Sequence, residues 1–175
     1  MKEILEKVKR VFPLQNIKKQ RENLYFVETE KIHLVSLITN LRDINGFKHL
    51  VLLTAVDRIE NGVFQLTYLL NNDELKIDLG VRVFLDRENA EMESIHHLWK
   101  QAATYQRELR EMFGINFSGS PRVDKAFILE GWDGMPPYRR DFDTLKYSEE
   151  TYFPRPGRST NDPAEYMKQK MYPDE

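Results

Sequence analysis

Apolar residues recur along this chain with two different periods. Residues 2–11 place Ile4, Leu5, Val8 and Val11 at helical spacing, which predicts a short helix. Asn23–Val27 reads as a strand. Thr29 stands where a capping side chain opens a second helix that carries Ile32, Leu34, Val35, Leu37, Ile38 and Leu41, and Asn45-Gly46 stops it. Three more strands are predicted at Phe47–Val56, Val63–Leu70 and Leu75–Leu85, with Asn61-Gly62 and Asn71-Asn72-Asp73 as the turns between them. Connections this short join antiparallel neighbours. The expected fold is therefore α+β, an antiparallel β-meander with covering helices.

The pattern is plainest from about Ala90 to Phe113, which predicts one long helix. At ~100° per residue, Leu98, Trp99, Ala102, Leu109 and Phe113 fall within about 60° of Ile95. Gln106 falls inside that stripe and Arg110 at its margin, while Glu108 points to the opposite side. An ordinary core helix with a snorkelling stem at its edge has this pattern. So does a helix that serves two neighbours, one through its apolar face and one through Arg107, Glu108 and Glu111.

The chain changes character at Gly114. Residues 114–175 hold seven of the eight prolines, five of the eight glycines and ten of the twenty aromatic residues. Proline and glycine at this density exclude long helices and central strands. Disordered tails, however, are poor in aromatic rings. The expectation is an α+β domain over residues 1–113 and an extended, partner-binding segment over 114–175, whose rings lie partly on the meander and partly on another protein.

Composition narrows the chemistry. The formal net charge is −2, with no basic surplus for binding nucleic acid. The absence of cysteine removes disulfides, thiolate zinc sites, iron–sulfur ligation and thiol catalysis. The longest apolar run, Leu50–Leu53, is far short of the ~18 residues of a membrane span. The charged start, Met1-Lys2-Glu3, is unlike a secretory signal. His96 and His97 are adjacent and make a poor helical chelate, since helical metal pairs use i, i+4 spacing. Neither nucleotide-cradling glycine pattern occurs. Arg139-Arg140-Asp141 can grip a carboxylate or other anion, or form a weak surface pair. No catalytic, cofactor-binding or metal-binding residue is assigned, and an interaction role leads.

The run from Tyr105 to Pro121, and the stretch through Trp132-Asp133-Gly134 to Arg139-Arg140-Asp141-Phe142, resemble the thirty-kilodalton subunit family of respiratory complex I. That family carries E-R-E-x-x-D/E-x-F-G-I-x-F-x-G-H-P followed by W-x-G-x-P-L-R-K-D. Arg107, Glu108, Glu111, Phe113, Gly114, Ile115, Phe117, Gly119 and Pro121 match the first pattern. Trp132, Arg139, Arg140 and Asp141 match the second, with Pro137-Tyr138 altering the step before the basic pair. Gln106 replaces the first Glu, and Ser120 replaces the His.

The resemblance implies a non-catalytic assembly subunit in the hydrophilic arm of a membrane-bound oxidoreductase. It would hold no cofactor and would be peripheral, at the cytoplasmic face of the membrane. Its implied partners are a large subunit of the nickel–iron or quinone-site type and an iron–sulfur subunit; the clusters and any [NiFe] site belong to those chains. The partner-facing residues would be Arg107, Glu108, Glu111, Phe113, Gly114, Phe117, Pro121, Trp132, Arg139, Arg140 and Asp141. Gln106, Ser120 and the run Tyr152–Arg158 look more like a ferredoxin-dependent, hydrogen-evolving, ion-translocating [NiFe] hydrogenase than like NADH dehydrogenase. The alternatives are the thirty-kilodalton subunit of NADH:quinone oxidoreductase, a related coenzyme- or sulfur-linked complex, or a freestanding enzyme binding an anionic substrate near Arg139-Arg140.

Overall fold

A computed structural model describes residues 1–152 and 162–172. Helix α1, Lys2–Lys9, buries Leu5 and Val8. Strands β1, Gln15–Arg21, and β2, Leu24–Glu28, follow. A 3-10 turn at Lys31–His33 runs into α2, Leu34–Asp43, which buries Leu34, Leu37, Ile38 and Leu41 at the spacing read from the sequence. Thr29 does not cap this helix: its hydroxyl is buried and has no hydrogen-bond partner among the described residues. Gly46, at φ +77°, turns the chain beyond the helix.

Strands β3 (His49–Arg58), β4 (Val63–Asn72) and β5 (Ile77–Asp86) form the expected meander. The five-stranded sheet has the order β1-β2-β5-β4-β3. It is antiparallel except where β2 runs parallel to β5, with Phe26 opposite Gly80 and Val27 opposite Val81. Helix α2 carries the chain from β2 to the far edge at β3, which leaves β2 free to pair with the last strand of the meander. β1 is absent from the sequence reading. Its seven residues are all exposed and only Ile17 among them is apolar, so it has no alternation to read.

Alternation holds well in the meander. Leu79, Val81, Val83 and Leu85 of β5 face the core with Phe64, Leu66, Tyr68 and Leu70 of β4, and α1 and α2 contribute to the same core. The long helix of the sequence reading is shorter than expected. Residues 90–101 form strand β6, Glu91–Glu93, and a set of tight turns, and α3 begins only at Ala102 and ends at Phe113. The apolar spacing misleads here because the turns also close at short range: Leu98 N–H donates to the Ile95 carbonyl, and Ala102 N–H to that of Trp99, both at 3.0 Å. β6 pairs in parallel with β7, Asn116–Ser118.

The chain divides into two compact units, Met1–Arg140 and Asp141–Glu175. The first therefore continues through residues 114–140, which the sequence reading assigned to the extended segment. The second contains α4 (Thr144–Tyr152) and α5 (Pro163–Met171). Asp143 accepts the Lys146 N–H at the start of α4, and Asp162 caps α5 at the Ala164 N–H. Phe153–Arg158, part of the run compared with the hydrogenase branch, lie outside the described residues.

Candidate partner-binding site

The site is built on the last turns of α3 and the strap that follows it. Gly114 ends α3 in the left-handed conformation, φ +80°, and its N–H donates to the Arg110 carbonyl at 3.0 Å. A Cβ at this position would stand 3.3 Å from Pro136. Phe113 and Phe117 are both buried, Phe117 through the pairing of β7 with β6. Pro121 is exposed. The strap then doubles back along α3, and Tyr138 N–H donates to the Met112 carbonyl at 2.9 Å.

Glu111 holds the middle of this strap. Its carboxylate accepts three consecutive backbone N–H groups, from Phe127 at 2.6 Å, Ile128 at 2.9 Å and Leu129 at 3.0 Å. Partial burial disfavours its charge, but the three donors and the nearby Arg107 outweigh that and hold the carboxyl below its ordinary range. Glu111 is thus used inwardly. Arg107 lies over the Phe127 ring, 5.4 Å from its centre, and its Nε is buried without an acceptor among the described residues. Glu108 is half-buried on the same helix. Trp132 closes the strap's turn, its ring N–H shared between the carbonyls of Gly134 and Met135 at 3.1 Å each.

A second anchor holds the strap's end. Asp57 and Arg87 form a buried two-pronged ion pair, with Nε to Oδ1 at 2.9 Å and the second nitrogen to Oδ2 at 3.1 Å. The Arg140 N–H donates to Asp57 Oδ2 at 2.9 Å, and the Arg140 guanidinium pairs with Glu60. Backbone bonding and Arg140 hold the exposed Glu60 carboxyl below its ordinary range. Phe64 sits at the centre of this corner, edge-on to Phe113 at 5.9 Å, with the Arg87 and Arg139 guanidinium groups 5.8 and 5.7 Å from its ring. Tyr138 in turn meets Phe113 edge-on at 5.7 Å.

The structure therefore gathers Arg107, Glu111, Phe113, Gly114, Trp132, Arg139 and Arg140 around α3 and its strap. Phe117 supports them from beneath, and Asp141 opens the second unit. The sequence reading missed Asp57, Glu60 and Arg87. A signal was present for two of them. Asp57 follows Leu53 and Ala55 on the inward parity of β3, and Arg87 follows Val83 and Leu85. A charge at an inward strand position needs an opposite charge beside it. The two departures from the motif also have addresses. Gln106 is fully buried and accepts the Ser94 hydroxyl at 2.7 Å, and Ser120 has a buried hydroxyl without a partner among the described residues.

A cavity of about 610 Å³ lies between the end of α3 and the strap, lined by Arg110, Glu111, Asp124, Lys125, Trp132 and Pro136 among others. Its charges are mixed, and Glu111, its carboxylate at α3, is already committed to the backbone. No group of three or more His, Asp or Glu stands together as a metal site among the described residues. His96 and His97 lie edge-on, 6.3 Å apart. No helix among the described residues is long and apolar enough to cross a membrane. The arrangement combines buried Phe64, Phe113 and Phe117 with the more exposed Trp132, Tyr138 and Arg140 along the strap.

Comparison with known proteins bears on the family and the fold. The family described as "Respiratory-chain NADH dehydrogenase, 30 Kd subunit" matches residues 27–148. A subunit of the NADH-quinone oxidoreductase of Moorella thermoacetica is 33% identical over 109 residues, which are 62% of this chain and 73% of the relative. A chain in the structure of the membrane-bound sulfane sulfur reductase, an archaeal respiratory membrane complex, is 25% identical. It superposes with a TM-score of 0.83 over 92% of this chain and 96% of its own. The trypsin-resistant fragment of Nqo5 shares the fold, at 20% identity and a TM-score of 0.59, over 69% of this chain and 96% of the fragment. With the family pattern matched across more than half the sequence and mounted on a fold shared with these structures, the chain belongs to the family of the respiratory-chain NADH dehydrogenase 30 Kd subunit and is a component of the complex I type.

Proposed function

We propose that this chain is a non-catalytic positioning subunit in the hydrophilic arm of a membrane-bound, complex I-like oxidoreductase, in the branch that includes the sulfane sulfur reductase. Its task is to hold an iron–sulfur subunit and a large subunit of the nickel–iron or quinone-site type in fixed register, since electron-transfer centres work only when held rigidly. It is peripheral, at the cytoplasmic face, and reaches the membrane through those partners. It carries no cofactor; clusters and any [NiFe] site reside in the neighbouring chains.

The observation that carries the reading is the near full-length structural likeness to the sulfane sulfur reductase chain, 92% of one and 96% of the other, at a TM-score of 0.83. Within this branch the departures at Gln106 and Ser120 favour a ferredoxin-dependent, hydrogen-evolving, ion-translocating [NiFe] hydrogenase. The structural likeness favours a second reading, a sulfur-linked reductase.

The test is purification of the native complex from membranes through a tag on this chain, with metal analysis and three assays. Co-purification of iron–sulfur subunits with hydrogen evolution supports the hydrogenase, and reduction of sulfane sulfur supports the second reading. NADH oxidation coupled to quinone would move the chain to the NADH dehydrogenase branch. Turnover by the isolated chain would overturn the non-catalytic role and restore the freestanding enzyme near Arg139-Arg140.

A further inference from the structure

The helices contribute to the core on one face of the five-stranded sheet. The residues of opposite parity form a second face, and its apolar members, among them Leu24, Phe26, Leu69 and Phe84, lie outside that core. On this face Phe26 of β2 lies flat across Gly80 of β5. A Cβ at residue 80 would come within 2.4 Å of two ring carbons, so only glycine admits the ring. The Arg82 guanidinium then lies on the ring, 4.0 Å from its centre.

This stacking fixes a cation that makes no ion pair among the described residues. Arg82 Nε is buried and has no acceptor among the described residues. The nearest carboxylate in register, Glu28, is engaged by the side-chain amide of Asn16 instead. A cavity of about 360 Å³ lies beside Arg82, lined by Gln20, Arg21, Leu24, Phe26 and Arg82. Its lining has two guanidinium groups and no acid. It adjoins β1, the edge strand, whose Lys18 stands in register with Phe26 on this face while Lys19 lies over the Tyr25 ring on the other, and β1 has no acidic residue of its own. A buried donor without a partner is costly, and a guanidinium held flat on a ring is preorganised for a planar carboxylate.

We infer that this cavity takes a carboxylate side chain from an acidic segment of a partner protein, gripped by Arg82 and Arg21. The volume exceeds that of a single small anion, and Lys18 extends the positive charge along β1 on this face, which suits a chain of carboxylates. This goes beyond the proposed function and does not rest on which reaction the complex performs.

The test uses the full chain, with hexaglutamate as probe and inorganic phosphate and hexalysine as controls, read from the Arg82 side-chain Nε resonance by NMR. Hexaglutamate should shift that resonance and saturate. Arg82→Lys keeps the charge but loses the fork and should weaken binding about tenfold, and Arg21→Gln about threefold. Arg21 is exposed, so its variant should leave the melting temperature unchanged and keeps the test decisive if Arg82→Lys disturbs folding. An unmoved resonance, an equal shift with phosphate or hexalysine at matched concentration, or Arg21→Gln binding as tightly as the wild type would overturn the inference.

Discussion

Two carboxylates fasten the same strap in opposite ways. Glu111 stands partly exposed at the end of α3 and directs its charge at three backbone N–H groups, those of residues 127–129. Asp57 is buried within the sheet and directs its charge chiefly at a buried arginine, while also accepting the Arg140 backbone N–H. The first fixes a loop's path and is replaceable by water if lost. The second neutralises a cation held inside the fold. A family motif can contain the first kind because a helix surface displays it, while the second kind is dictated by the core it sits in.

The largest effect is expected at the buried pair. Asp57→Ala should cost about 3–5 kcal/mol, because Arg87 remains buried without its main partner. The pair Asp57→Leu with Arg87→Met should cost less than either single change, and a double-mutant cycle by chemical denaturation measures the difference. If the double variant were as damaged as the sum of the singles, the charge would not be what the site protects.

Glu111→Ala should cost less, about 2–4 kcal/mol, and act locally. Hydrogen exchange should quicken at the Phe127, Ile128 and Leu129 amides while the amides of β4 stay protected. The pH dependence has a definite sign. The folded carboxyl binds its proton less readily than in the unfolded chain, so its stabilisation is complete at neutral pH and drains away as pH falls through and below the ordinary glutamate range. Glu111→Gln should flatten that part of the acid melting profile. An unchanged profile would show that the three N–H bonds form equally well to a neutral group.

How much of this could be read from the sequence follows the same division. The meander and α2 were legible because alternation and helical spacing report burial directly. The motif residues on α3 were legible as a set, yet the sequence reading turned Glu111 outward, whereas its oxygens close on the strap. Spacing along one helix cannot report a bond made to a distant loop. The start of α3 was misplaced because turns closing at i, i+3 present the same apolar stripe as a helix through Ile95, Leu98 and Trp99. β1 was invisible, since an edge strand with no buried face has no period. Asp57 and Arg87 were readable only by asking which charges fall on inward parity.

A smaller effect is expected at Gly114. Any side chain there must adopt a positive φ and press on Pro136, so Gly114→Ala should cost about 1–2 kcal/mol. The strap's far end should loosen with it, seen as faster exchange at the Tyr138 amide, whose bond to Met112 depends on that turn. Exchange confined to the turn itself would mean that the two anchors hold the strap without help from the helix terminus.

The smallest folding effect is expected at Arg107, and it separates an inward anchor from an outward one. Among the described residues its guanidinium has the Phe127 ring and the field of Glu111, with Nε buried and no acceptor. Arg107→Gln should therefore cost only about 0.5–1 kcal/mol of stability. If α3 presents this cation to a neighbouring subunit, the same substitution should weaken co-purification of the complex far more than it lowers the melting temperature of the isolated chain, because a carboxylate on the partner would be left facing an amide. A fall in melting temperature as large as that of Glu111→Ala, with co-purification lost only in proportion, would make Arg107 a third internal fastening and move the docking face from α3 to the aromatic turn around Trp132.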